Sequence, residues 1–90
     1  MSQFIHGREH LDDGDVVQVT CDTQCNVMLL TDTNFYCYKR QESYRYYGGF
    51  FKQFPARIAA PHSDYWNIVI DLGGGSASIR YSITVLRRNP

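Results

Sequence analysis

The alternation of apolar and polar residues in this 90-residue chain predicts an all-β single domain, an antiparallel β-sandwich or distorted barrel of about seven to eight short strands. Turn-forming clusters interrupt the apolar runs roughly every 8–12 residues, a spacing of strands rather than helices. No stretch sustains a helical period, and no repeat, low-complexity segment or linker divides the chain.

The clearest patterning is C-terminal. Residues 66–72 place Trp66, Ile68, Ile70 and Leu72 on one face, and residues 77–86 place Ala77, Ile79, Tyr81, Ile83 and Val85 on one face. A tight turn on Gly73-Gly74-Gly75-Ser76 then predicts a hairpin pairing Leu72 with Ala77, Ile70 with Ile79, Ile68 with Tyr81 and Trp66 with Ile83. The other face carries Asn67, Val69 and Asp71 against Ser82, Arg80 and Ser78, with Asp71 and Arg80 as a surface pair. The glycines serve the turn and not phosphate binding, because a dinucleotide fingerprint needs a helix after them and here a strand follows.

Upstream elements follow in order. A short first strand is expected over residues 3–6, and Asp12-Asp13-Gly14-Asp15 is turn chemistry. Val16–Cys21 and Cys25–Thr31 alternate as strands, and a meander between them sets Val19 against Val27 and Val17 against Leu29. Asp32-Thr33-Asn34 reads as a turn and residues 35–39 as another alternating strand. Strands over residues 51–54 and 56–60 flank Pro55, which cannot donate to a ladder and marks an edge, a bulge or a junction. Residues 87–90 are expected to form a loose tail.

Nine Lys and Arg balance nine Asp and Glu, so net charge does not favour nucleic acid, although a local basic patch remains open. No run is long and apolar enough to span a bilayer, and the first residues lack a signal peptide's regions, so the expected location is cytoplasmic and no membrane partner is expected. Three cysteines cannot all pair within one chain. Cys21 and Cys25 lie on the apolar phase of their strands and read as reduced core thiols, with a disulfide between them conceivable if they face one another. Cys37, His6, His10 and His62 supply no second compact pair for a structural zinc, so neither a metal site nor a cofactor is expected.

Catalytic motifs are weak. Pro61-His62-Ser63-Asp64 has the residue types of a triad, but a triad requires convergence in space, and the tetrapeptide is ordinary turn composition. No catalytic residue is assigned. The strongest functional constellation spans residues 36–54, where tyrosines and phenylalanines interleave with Lys39, Arg40, Arg45 and Lys52. Aromatic faces beside cations stack bases or sugars and hold phosphates, whereas the bland reading divides the same rings between core and solvent. The candidate binding residues are Arg40, Tyr44, Arg45, Tyr46, Tyr47 and Lys52.

Phe4-Ile5-His6, Arg8-Glu9-His10-Leu11, Tyr47-Gly48-Gly49, Phe54-Pro55-Ala56, Trp66-Asn67, Ile70-Asp71-Leu72-Gly73-Gly74 and Ile79-Arg80-Tyr81-Ser82 together resemble the small bacterial proteins grouped as domain of unknown function 1883. The resemblance extends from about Phe4 to Val85 and rests on mostly structural motifs. It implies an all-β, sandwich-like domain, found alone or fused to Toll/interleukin-receptor-type signalling domains, and brings no activity, cofactor or catalytic residue. The fusions favour recognition or sensing over catalysis by association only. The expectation is therefore a non-catalytic module for an unknown small molecule or protein. The alternatives are a small hydrolase or transferase using His6, His10 or His62 with nearby acids, and a homo-oligomer assembled through edge strands.

Overall fold

A computed structural model describes residues 4–72 and 79–88. These form seven strands and one helix: β1 (Phe4–Leu11), β2 (Val16–Cys21), β3 (Cys25–Thr31), α1 (Asp32–Lys39), β4 (Tyr47–Phe51), β5 (Ala56–Ala59), β6 (Asp64–Asp71) and β7 (Tyr81–Leu86). They build two antiparallel sheets, a four-stranded sheet in the order β1-β6-β3-β4 and a three-stranded sheet in the order β5-β2-β7. The sheets face each other as a sandwich and do not close into a barrel.

The alternating residues go where their period sends them. Val17, Val19, Val27, Leu29, Trp66, Ile68 and Ile70 meet in one buried cluster between the sheets, with Leu11, Cys25 and Ile58. Ile79, Ile83 and Val85 pack partly buried against it. Trp66 is fully buried and its indole Nε1 donates to the His62 carbonyl at 3.1 Å. A second cluster lies on the outer face of the larger sheet, where Phe35 of α1 covers Met28, Leu30 and Val69. The molecule is thus three-layered on that side, and β6 is buried from residue 66 to residue 70.

Strand partners differ from those the sequence predicts. The chain passes from sheet to sheet at almost every connection, so neighbours in sequence seldom share a ladder. Instead of a C-terminal hairpin, β6 pairs with β1 and β3, setting Ile68 beside Gly7 and Leu29, and Ile70 beside Ile5 and Val27. β7 pairs with β2 in the other sheet, Tyr81 opposite Cys21 and Ile83 opposite Val19. The apolar faces of β6 and β7 do converge, but across the sandwich. The expected glycine turn lies outside the described residues. Asp71 and Arg80 are not paired as expected: Asp71 accepts from the Tyr38 hydroxyl, and the Arg80 carbonyl accepts from the Asp22 amide. The meander fails for the same reason, because β2 lies between β5 and β7 and β3 between β6 and β4.

Three local expectations also change. The first strand runs to Leu11, because β1 pairs with β6 along its whole length. Residues 32–39 are helical where a turn and a strand are expected. Thr31 caps the helix, its hydroxyl accepting from the Asn34 amide at 3.4 Å, and Asp32 sits in the first turn. Gln41, at φ 60°, ends the helix, and the Glu42 amide returns to the Cys37 carbonyl at 2.9 Å. Pro55 stands between β4 and β5, a junction from one sheet to the other, and the strand before it is Tyr47–Phe51 rather than residues 51–54.

The C-terminal arginines, read as the start of a loose tail, are tied to the buried Asp15. Its carboxylate accepts from the Arg88 amide at 2.8 Å, the Asp12 amide at 2.9 Å and the Arg87 guanidinium at 3.1 Å. Those amides, followed by the Arg87 charge, hold the Asp15 carboxyl below the usual carboxylate range.

One glycine is dictated by space and backbone together. Gly48 in β4 has φ 122°, and a Cβ there would meet the Val27 carbonyl oxygen at 2.2 Å. Gly48→Ala is expected to lower the unfolding free energy by about 2 kcal/mol or more, read from the urea midpoint. Gly7→Ala, where a Cβ meets nothing within 4 Å, is expected to stay within about 0.5 kcal/mol of the parent.

Candidate functional site

Helix α1 and the outer face of the larger sheet gather the side chains of interest. Phe35 and Tyr38, three residues apart, share the helix face turned to the sheet. Phe4 packs edge-on against both, with centroids at 6.0 Å from Phe35 and 5.3 Å from Tyr38. Tyr38 meets Tyr44 edge-on at 5.3 Å, and Tyr44 meets Tyr46 at 5.7 Å. A continuous run of rings thus climbs from the second core cluster to Tyr46, which is 46% exposed.

Two hydrogen bonds hold this run. The Tyr38 hydroxyl donates to Asp71 Oδ2, and the Arg45 amide donates to Asn34 Oδ1 at 3.0 Å. Burial, reinforced by the Asp71 bond, pushes the Tyr38 phenol well above its ordinary range. Burial likewise raises Tyr44, with Tyr46 and Asp71 adding to the effect. Both phenols are therefore neutral over the physiological range.

The six residues singled out from sequence divide among several places. Tyr44 and Tyr46 are on the ring run, and Arg45, between them in sequence, has an exposed side chain. Arg40 lies on the exposed side of the helix end, 5.3 Å from the Tyr36 ring and 3.3 Å from Glu42. Tyr47 turns away and packs edge-on against Trp66 at 5.8 Å. Lys52 lines an open hollow of about 540 Å³ with Phe50, Phe51, Gln53, Phe54 and Pro55, beyond the far end of β4.

Beside the ring run is a polar network that sequence reading misses. Asn67, placed in sequence on a solvent face, is 1% exposed beneath α1. Its Nδ2 donates to Asp32 Oδ1 at 2.8 Å and to the Leu30 carbonyl at 3.2 Å, while its Oδ1 accepts from His6 Nε2 at 2.8 Å. Arg8 grips Asp32 bidentately at 3.0 and 2.7 Å and lies 4.3 Å from the Tyr65 centroid. The Arg8 bond, then the Asn67 bond, lowers the Asp32 carboxyl to about 2. The available signal was Val69: an apolar residue on a supposedly polar face implies that the face is covered.

The histidines do not form a common site. His6 is committed to Asn67 and stacked on Phe35 at 4.0 Å; His10 packs against Tyr65; His62 pairs with Asp64 at 3.4 Å. Ser63 Oγ accepts from the Asp13 amide, a turn contact rather than a nucleophile's. The hydrolase or transferase alternative needed two of these histidines in one cleft with nearby acids, and this arrangement gives it no support. Among the described residues, no three His, Cys, Asp or Glu side chains gather to hold a metal, and no helix is long and apolar enough to cross a membrane.

A family model described as Domain of unknown function (DUF1883) matches residues 2–89. No curated protein and no solved structure matches the chain.

The network has two measurable consequences. Asn67→Ala removes partners from His6, Asp32 and the Leu30 carbonyl and is expected to cost about 2–3 kcal/mol in urea unfolding. Asp32 titrates near 3.9 in the unfolded chain, so its stabilisation is complete above about pH 3.9. It is lost as pH falls through about 2. Urea midpoints between about pH 5 and pH 2 should fall less steeply for Asp32→Asn than for the parent, with the Asp15 contribution common to both.

Proposed function

The chain belongs to the DUF1883 family of domains of unknown function, and from its geometry we propose that it is a non-catalytic recognition module reading its ligand on the Tyr44-Arg45-Tyr46 surface. The observation that carries this reading is the ring run. Tyr46 stands half exposed at the end of rings anchored in the second core cluster, and the segment bearing it is bonded to α1 through Arg45 and Asn34. A surface aromatic held this way loses little freedom on binding, so more of the contact energy appears as affinity. Arg45, exposed and between Tyr44 and Tyr46 in sequence, supplies a cation on the same segment, and a cation with aromatic rings suits the π-face and the negative or hydroxylated edge of a nucleotide or sugar. Arg40 over Tyr36 offers a cation–aromatic pair on the helix. Tyr47 leaves the proposed surface, because its ring is turned to Trp66, and Lys52 leaves it because it lines a different hollow.

Assembly through an edge strand is a second reading with one observation in its favour. β4 ends the larger sheet and carries the exposed Tyr47 and Phe50. A monomeric mass by light scattering at working concentration removes that reading.

A thermal-shift screen of nucleotides, oligonucleotides and sugars tests the recognition module, since a ligand that binds only the native state raises the melting midpoint. Tyr46→Ala is expected to weaken the hit by about 1–3 kcal/mol, roughly 5- to 150-fold, without lowering the ligand-free midpoint appreciably. Arg45→Ala should weaken it further for anionic ligands. No shift across the panel, together with unaltered partner capture by both variants, refutes the assignment.

A further inference from the structure

Cys21 ends β2 in one sheet and Cys25 begins β3 in the other, with only Asp22-Thr23-Gln24 between them. Both side chains take the inward phase of their strands, so the crossing from sheet to sheet turns both thiols towards one core cluster, which contains Cys25 and against which Cys21 packs. Their surroundings differ. Cys25 is buried, at 1% exposure. Cys21 is half-buried and opens into a hollow of about 330 Å³ whose walls include Arg80 and Asp22. Cys37, the third cysteine, is on α1 and belongs to neither wall.

We propose that Cys21 and Cys25 are a peroxide-reactive dithiol, Cys21 attacking the oxidant and Cys25 resolving the product into a disulfide. Geometry sets the order, because Cys21 lines the open hollow and Cys25 does not. The Cys21 thiolate sulfur attacks one oxygen of hydrogen peroxide and the O–O bond breaks. The departing hydroxide takes a proton to become water, leaving Cys21 as a sulfenic acid. The Cys25 sulfur then attacks Cys21 Sγ, an S–S bond forms, and the sulfenic hydroxyl leaves as a second water with the Cys25 proton. Two thiols supply two electrons, and one peroxide becomes two waters. Burial, then the neighbouring Cys21, pushes the Cys25 thiol up to about 12, so Cys25 stays protonated while the oxidant meets Cys21.

The modification is independent of the aromatic surface and would cross-link the two sheets at the β2–β3 connection. The test exposes the native full chain to hydrogen peroxide, blocks remaining thiols by alkylation after denaturation, and maps the peptides by mass. The expected product is lighter by two hydrogen atoms, links Cys21 to Cys25, leaves Cys37 alkylated, melts at a higher midpoint and reverts on reduction. Cys25→Ser should stop at a Cys21 sulfenic acid trapped by a dimedone probe, and Cys21→Ser should lose peroxide reactivity. Should Cys25→Ser fail to fold, the parent's peptide map decides the pairing and Cys21→Ser, at the half-buried position, decides the order. Recovery of Cys21 and Cys25 fully alkylated, oxidation confined to Cys37, or undiminished oxidation of Cys25 in Cys21→Ser overturns the proposal.

Discussion

The structure depends on β6 being covered on both faces. Trp66, Ile68 and Ile70 enter the space between the sheets, and Asn67 and Val69 point the other way, under α1. A polar side chain in such a strand must find its partners within the protein, because leaving a buried amide unmade costs about 1–3 kcal/mol per group. Asn67 finds them in three directions at once: His6 on β1, the Leu30 carbonyl on β3 and Asp32 at the start of α1. The helix is consequently located on the sheet by hydrogen bonds as well as by Phe35. Asp32 serves the N-terminus of the helix, the amide and Arg8 with one carboxylate.

What the sequence makes legible follows from the period of two. Alternation identifies inward residues, and Val17, Val19, Val27, Leu29, Trp66, Ile68 and Ile70 are all inward. It says nothing of which strand lies alongside, since two apolar faces meet equally well within one ladder or across a sandwich. In this topology they meet across, because β2, β5 and β7 go to one sheet and β1, β3, β4 and β6 to the other. Helix α1 is illegible for a different reason. Eight residues hold little more than two turns, and Phe35, Cys37 and Lys39 alternate with Tyr36 and Tyr38 as a strand would. Thr31 and Asn34, which make its cap, have the same composition as a turn.

The functional region is legible as chemistry and not as geometry. Composition marks residues 36–54 as aromatic and cationic, and the structure spreads those side chains over an exposed helix side, a ring run, the Trp66 contact and a hollow beyond β4. The division arises from the helix. Read as a strand, Tyr36 and Tyr38 would share a face; on α1 they point nearly opposite ways, so Tyr36 joins Arg40 outside while Tyr38 joins Phe4 and Tyr44 against the sheet. His6 and Asn67 are 61 residues apart in sequence, and no local pattern could have paired them.

The same helix explains why Tyr44 and Tyr46 are held in place rather than carried on a free connection. Residues 42–46 join α1 to β4 without regular structure, and β4 is an edge strand with one neighbour. Such a segment ordinarily ranks among the least stable parts of a fold. Here it is fastened at both the backbone and the ring: the Arg45 amide to Asn34, whose own side-chain amide donates to Thr31, and Tyr44 to Tyr38, whose hydroxyl is bonded to Asp71 at the end of β6. Each fastening leads through α1, and α1 is fixed by Asn67 and Phe35 to the doubly buried strand. The exposed rings therefore inherit their order from β6, so a substitution that loosens Asn67 should loosen the aromatic surface even though it touches none of its residues.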